Sequence, residues 1–225
     1  MLTESAKTLV PKFFDETGTT YDGVVSYGTL GKDKYWKRKM LEQISDGSSF
    51  LDLACGTGIL TREIAEKFPN SKIVGIDITK SYLDVAKENS SYFENISFIL
   101  DDAEEFKLDS KFDCITASYL PKYCDPEILV KNCTTHLKPG GKIIFHDFTY
   151  PKNLVVRGLW NLFLTSLRLV GCFIPSWKDA LIGLPKLIRR TKWLESYSDV
   201  MKKNGLNVNR QYLTCGASAI LTGTK

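Results

Sequence analysis

Apolar residues fall along this chain in two alternating rhythms. Short, nearly continuous apolar runs lie near 49–53, 72–77, 95–100, 112–118, 141–147, 206–213 and 216–224. Between most of them run segments whose apolar positions recur every three or four residues, near 33–45, 59–68, 80–90, 125–137 and 191–204. The first set predicts strands and the second predicts amphipathic helices. Strand and helix taking turns predicts an α/β fold, a mostly parallel seven-stranded sheet with helices on both faces. The last two runs are separated by little more than a turn at Cys215–Gly216, which predicts an antiparallel hairpin closing the sheet edge.

One block, from about Pro151 to Trp193, breaks the rhythm. Its first half, NLVVRGLWNLFLTSLRLVGCFI, is nearly long enough to span a bilayer, but Arg157 and Arg168 sit inside it. Wound as a helix, Asn153, Arg157, Asn161, Thr165 and Arg168 form one narrow polar stripe and leave the remaining surface apolar. The second half, with Pro185, Lys186, Arg189, Arg190, Lys192 and Trp193, is basic and aromatic, as suits anionic headgroups. The block predicts an inserted helical lid whose apolar surface needs a cover. A membrane surface, the chain's own domain and a second copy in a homodimer all remain open as that cover. Each of them leaves an apolar wall, which favours a lipophilic small-molecule ligand.

Composition narrows the class. At 225 residues, 43% hydrophobic and 25% charged, the chain suits a single domain, 1–225, with an N-terminal helical cap over 1–46. A net charge of +4, with no compact Lys/Arg stripe carrying interleaved aromatics in the first half, gives no reason to expect nucleic acid. The six cysteines are scattered without a C-x-x-C pair and no secretory signal opens the sequence, so reduced thiols and a cytoplasmic location are expected, peripheral to a membrane if the 151–193 block docks there. With His136 and His146 as the whole histidine complement, no metal is expected.

The candidate chemistry lies in LDLACGTGILT, residues 51–61. Leu51 and Leu53 fit a buried strand, Gly56 and Gly58 allow a tight turn close to a ligand, and the following helix start offers free N–H groups. Nineteen residues past Gly58, KIVGID delivers Asp77 at the end of a second strand, where a carboxylate can hold both hydroxyls of a ribose. A dinucleotide fingerprint would place a third glycine at Thr61, and no lysine follows the loop as a P-loop requires. Asp52 with Ala54, Gly56 and Gly58 at alternate positions instead resembles the [DE]-x-[GA]-x-G-x-G pattern of class I S-adenosylmethionine (SAM)-dependent methyltransferases. NISFILDDAEEF at 95–106, KFDCITAS at 111–118 and THLKPGGKIIFHDF at 135–148 follow in the order of that Rossmann-like class.

FFDETGTTYDGVVSYGTLGKDKYWKRKML, residues 13–41, narrows the resemblance further, to the ubiquinone/menaquinone-biosynthesis C-methyltransferases. The matching features are Tyr21-Asp22, Ser26 with Gly28 or Gly31, Trp36-Lys37, DCITAS and LKPGGKIIFHDFTYP. The resemblance covers nearly the whole chain and is weakest over 151–193. It implies SAM as cofactor, S-adenosylhomocysteine as product, and cofactor contacts from Thr57, Asp77, Asp102 with Ala103, and Ser118. Tyr21, Asp52, Ala54, Gly56, Gly58 and Ile78 complete the expected cofactor set. Where those enzymes carry Gly-Leu-Arg-Asn after the fourth strand, this chain reads Tyr119-Leu120-Pro121-Lys122-Tyr123, so a prenylated phenazine-like ring is as compatible with the chain as a quinol.

A ring carbon becomes nucleophilic when the adjacent hydroxyl loses its proton, so carbon methylation wants a cation or base near that oxygen. Lys122, Tyr123, Asp147 and Tyr119 are the catalytic candidates, with Tyr21, Asp22 and His146 nearby in the pattern, although a satisfied core histidine is the plainer reading of His146. The expected activity is therefore methylation of a lipophilic ring in electron-carrier biosynthesis. Two alternatives stay open: methylation of a lipid headgroup amine or a small oxygen or nitrogen nucleophile, and a non-catalytic SAM-binding partner in a membrane assembly.

Overall fold

The computed structural model describes residues 9–14 and 17–225; the first eight residues of the expected N-terminal cap, and residues 15 and 16, lie outside the described residues. Seven strands form one sheet: β1 (Ser49–Leu53), β2 (Lys72–Asp77), β3 (Ile96–Leu100), β4 (Phe112–Ser118), β5 (Leu137–Phe148), β6 (Asn207–Leu213) and β7 (Ser218–Thr224). Their order is β3-β2-β1-β4-β5-β7-β6, with the first five parallel and β7 antiparallel to both its neighbours. This is the expected class I methyltransferase architecture. The central strands are apolar on both faces because both faces are covered. Leu51, Ile115 and Phe145 pack with Tyr197 and Met201 on one side, while Phe50, Cys114 and Ile144 pack with Met40 and Ile64 on the other.

Helices α3 (Lys32–Leu41), α4 (Ile59–Lys67), α5 (Lys80–Asn89), α6 (Pro126–Thr135) and α9 (Trp193–Lys203) match the periodic segments to within a few residues. One boundary differs from expectation. β5 starts at Leu137 instead of 141, because Lys138–Gly141 loop out between the Phe112–Leu137 and Cys114–Lys142 pairs, with Gly140 at φ +75. The C-terminal hairpin folds inward: β7, buried along its first six residues, pairs with β5, and β6 forms the edge. The described part of the 1–46 segment holds α1 (Leu9–Phe14) and α2 (Tyr21–Gly28) ahead of α3, and the 151–193 block resolves into α7 (Leu154–Gly171), a 3-10 turn at Pro175–Trp177 and α8 (Lys178–Arg190).

α7 begins where Asn153 accepts hydrogen bonds from the Val155 and Val156 N–H groups, satisfying two donors that the first helical turn leaves free. With α1 and α8 it forms a third apolar cluster: Phe13, Leu164, Leu167, Trp177, Ala180 and Leu181 gather around Tyr123. Gly183 is required in α8 because a Cβ there would run into the Phe13 ring. This cluster lies apart from the two that cover the sheet, and it roofs the carboxyl ends of the strands.

Below that roof, Asp52 ties three elements together. Its Oδ2 accepts from Thr61 on α4 and its Oδ1 from Thr116 on β4, each at 2.7 Å. Burial pushes its carboxyl up to about 6 despite both bonds. A carboxyl that ionises less readily when folded adds stability that is whole below its unfolded pKa of about 3.9 and is lost as pH rises through about 6. Relative to Asp52→Asn, the wild-type chain is expected to lose about 2–3 kcal/mol of stability between pH 4 and pH 8 in urea unfolding. A difference that does not change with pH would show that Asp52 ionises freely.

Candidate active site

The strand order reverses between β1 and β4, and a crevice opens there at the carboxyl ends of the strands. The β1–α4 loop bends through Ala54 (φ +51), Gly56 (φ +57) and Gly58 (φ +79) to present its backbone to that crevice. Asp77 closes the loop from the next strand. Its Oδ2 accepts from the Gly56 N–H and its Oδ1 from the Thr79 N–H, both at 2.8 Å. Burial raises the Asp77 pKa while these N–H groups partly offset the rise. The carboxylate is thus oriented by the backbone at the edge of the crevice.

A cavity of about 620 Å³ extends from this point. At the sheet edge it is lined by Ala54, Gly56, Asp77, Ile78, Asp102, Ala103 and Ser118. Toward the roof the lining becomes aromatic and aliphatic. Tyr21 packs 4.9 Å from Tyr82 and stacks 6.1 Å from Trp177, whose Nε1 donates to Thr20 at 2.9 Å. Trp160, Phe163, Leu164 and Leu167 of α7 form the opposite wall.

The segment after β4 crosses this wall in a constrained shape. Tyr119 sits at φ +65, held by its N–H to the His146 carbonyl and by its hydroxyl donating to Asp33 Oδ1 at 2.8 Å. Asp33 also pairs with the buried Lys37. Lys122 points inward: its ammonium donates to Asp147 Oδ1 at 3.0 Å and to the Tyr119 carbonyl, and lies 4.4 Å from the Tyr123 ring centroid. Its backbone N–H reaches the other Asp147 oxygen at 3.0 Å. Burial pulls the Lys122 pKa down and pushes Asp147 up, since neither charge is solvated. Among the described residues the Tyr123 hydroxyl, buried in the cavity wall, has no hydrogen-bond partner.

Not every expected site residue reaches the cavity. Asp52 faces Thr61 and Thr116, Thr57 donates to Asp22 Oδ1 at 2.6 Å, and Gly58 bonds back to the Cys55 carbonyl; these three shape the loop from behind. Asp147 is fully buried outside the cavity lining, so it positions Lys122 and does not itself meet a ligand. His146 is bonded at both nitrogens, to Ser118 and Ser218, and burial beside Lys37 and Lys122 holds its pKa well below the usual range, which makes it a neutral core histidine. Tyr21, Tyr119, Lys122 and Tyr123 all line the cavity with Ala54, Gly56, Asp77, Ile78, Asp102, Ala103 and Ser118. The sequence reading missed Tyr82, Trp177 and the Asp33–Lys37–Tyr119 link. Only the i,i+4 spacing of Asp33 and Lys37 carried a signal for them.

Comparison with known proteins agrees with this geometry. A family profile described as a methyltransferase domain matches residues 44–167. The ubiquinone/menaquinone biosynthesis C-methyltransferase UbiE of Hahella chejuensis is 29% identical over 226 residues, covering 96% of this chain and 91% of that protein. Among solved structures, the N-methyltransferase NodS of Bradyrhizobium japonicum, in complex with S-adenosylhomocysteine, superposes with a TM-score of 0.66 at 12% identity over 99% of both chains. A chain of the complex between the Haloferax volcanii Trm112 methyltransferase activator and a putative methyltransferase gives a TM-score of 0.66 at 15% identity, over 94% of this chain and 96% of that one. With a crevice at the strand-order reversal, a glycine-bent loop tied to Asp77 and a profile spanning more than half its length, this chain belongs to the methyltransferase domain family and is a SAM-dependent methyltransferase.

Proposed function

We propose that this enzyme methylates a ring carbon of a lipophilic acceptor, a prenylated quinone-like or phenazine-like ring of electron-carrier biosynthesis. The observation that carries the reading is the change of character along one cavity, polar at Asp77 and Asp102 and aromatic or aliphatic under the lid. A charged amine acceptor would want carboxylates on that second wall, and its buried ion there is the Lys122 ammonium. The similarity to UbiE over nearly the whole chain supports the same choice.

The residues at the polar end suit SAM. A Cβ on Gly56 would project toward Tyr21 and Tyr82, 3.9 and 3.8 Å away, into space that the glycine leaves open. Asp77 would hold the ribose hydroxyls, Asp102 and Ala103 the adenine, and Ala54, Gly56, Ile78, Ser118 and Tyr21 the remaining walls, with Asp52, Thr57 and Gly58 supporting the loop. When bound, the cofactor supplies an electrophilic methyl group on a sulfonium.

The chain's own contribution is to orient the acceptor and make its carbon nucleophilic. Lys122 holds a positive charge in a desolvated wall, where it would stabilise the phenolate left when the acceptor hydroxyl gives its proton to solvent on binding; once the methyl has moved to the ring carbon, the proton displaced from that carbon returns to the same oxygen. The unpaired Tyr123 hydroxyl donates to the same oxygen, and Tyr119 is the platform that fixes Lys122 through its carbonyl. Asp147 keeps the ammonium aimed and protonated. The aromatic roof excludes water and flattens the ring against the cavity wall.

Four outcomes test this reading. Incubated with methyl-labelled SAM and a membrane lipid extract from a host blocked in this step, the enzyme is expected to place label in an apolar aromatic product. Label confined to headgroup or water-soluble species would overturn the assignment. Asp77→Ala is expected to weaken SAM binding by about 10- to 100-fold in calorimetry, the loss of charge-assisted bonds to two hydroxyls, and unchanged affinity would refute its role. Tyr123→Phe is expected to raise unfolding stability by about 1 kcal/mol, since an unsatisfied buried hydroxyl is removed. The same variant is expected to lower turnover by about 10- to 100-fold with SAM affinity intact. Full turnover would leave the hydroxyl without a chemical role.

A further inference from the structure

α7 has three faces. Trp160, Phe163, Leu164 and Leu167 look into the cavity. Arg157 and Asn161 form a polar edge, Arg157 lying over the Tyr150 ring and Asn161 Oδ1 accepting from Arg189 of α8 at 2.8 Å. The third face carries Val155, Leu159, Leu162 and Leu169, spaced as one stripe along the helix and 64–72% exposed, and Phe173, two residues past the helix end, is 86% exposed. Among the described residues α7 is the helix long and apolar enough to cross a membrane by length and composition. Its inner face, however, is committed to the cavity, and so it lies along the domain surface.

Charge decides what covers the stripe. Residues 151–193 hold eight Lys or Arg and one acidic residue, Asp179, while the whole chain is only +4, so the remainder is net negative. Lys152, Lys178, Lys186, Arg189, Arg190 and Lys192 are all exposed. A second copy docked through the same face would bring two such basic blocks together, since a two-fold interface sets a patch against itself. An apolar stripe with a basic border fits an anionic lipid surface instead.

We propose that the outer face of α7 docks on an anionic bilayer, with the stripe at the acyl boundary and the basic residues of 151–193 among the lipid phosphates. One helix then presents one face to lipid and another to the cavity, which shortens the path of a bilayer-dissolved acceptor. That consequence rests on the proposed lipophilic acceptor, whereas the docking itself does not.

The test is co-sedimentation of the full chain, without acceptor, with vesicles of phosphatidylcholine alone or mixed with phosphatidylglycerol. Wild-type protein is expected to bind the anionic vesicles, less so as salt rises. The triple variant Leu159→Ser, Leu162→Ser, Phe173→Ser is expected to partition at least about tenfold less. The pair Lys186→Glu and Arg190→Glu is expected to lose the preference for anionic vesicles. Both variants should keep wild-type SAM affinity, which shows that they fold. Wild-type protein that ignores vesicles, variants that bind them unchanged, or a triple variant that converts a dimer to a monomer would each overturn docking. A headgroup-methylated product in the labelling assay would sink ring methylation and leave docking standing.

Discussion

The feature on which the rest depends is the parting of two parallel strands. β1 and β4 are hydrogen-bonded neighbours, yet the chain leaves them in opposite directions along the sheet, so the crossovers that follow them part at their carboxyl ends. An uncovered end in a sheet buried on both faces exposes backbone N–H groups and apolar side chains together. The molecule meets the first with Asp77, which accepts from the Gly56 and Thr79 N–H groups, and the second with the helices of the lid. A polar end and an apolar end of one cavity follow from the same topological fact.

Placing an ion in that apolar end is costly unless it is held on several sides. Lys122 is so held: Asp147 accepts from both its ammonium and its backbone N–H, and the Tyr119 carbonyl takes a further ammonium proton. Tyr119 is itself pinned in a left-handed conformation by the His146 carbonyl and by Asp33, which Lys37 balances. Two buried ion pairs therefore flank one strained residue. The arrangement leaves the segment from Tyr119 to Tyr123 little freedom, and Tyr123 ends with its hydroxyl unsatisfied in the wall. An unpaired buried hydroxyl beside a buried cation is poor design for stability alone and good design for gripping an acceptor oxygen.

Most of the sheet was legible because its signals are local. A strand such as KIVGID and a loop such as ACGTG owe their conformation to residues within a few positions, and their boundaries matched closely. Position in the sheet was less legible: nothing in 206–224 says that β7, not β6, meets β5, because that depends on how a strand buries both faces. The cofactor-side candidates divided along the same line. Asp77 could be placed from its strand, whereas Asp52 and Thr57 turned behind the loop toward partners nine and thirty-five residues away. The aromatic roof was invisible for the strongest reason of all, since Tyr21, Tyr82 and Trp177 meet across elements with no shared periodicity.

The lid joins these levels. A helix covering a cavity in water needs one apolar face, and its other side is free to be charged. α7 instead keeps a valine and leucines on its outside, with Phe173 exposed just beyond its end, an apolar patch that disfavours solubility. Arg157 and Asn161 lie along one edge, engaged by Tyr150 and Arg189. On the proposed docking the helix separates two apolar environments, the cavity within and a bilayer surface without. In the docking proposed above, the excess of basic residues in the same block matches an outer surface that is negatively charged as well as oily.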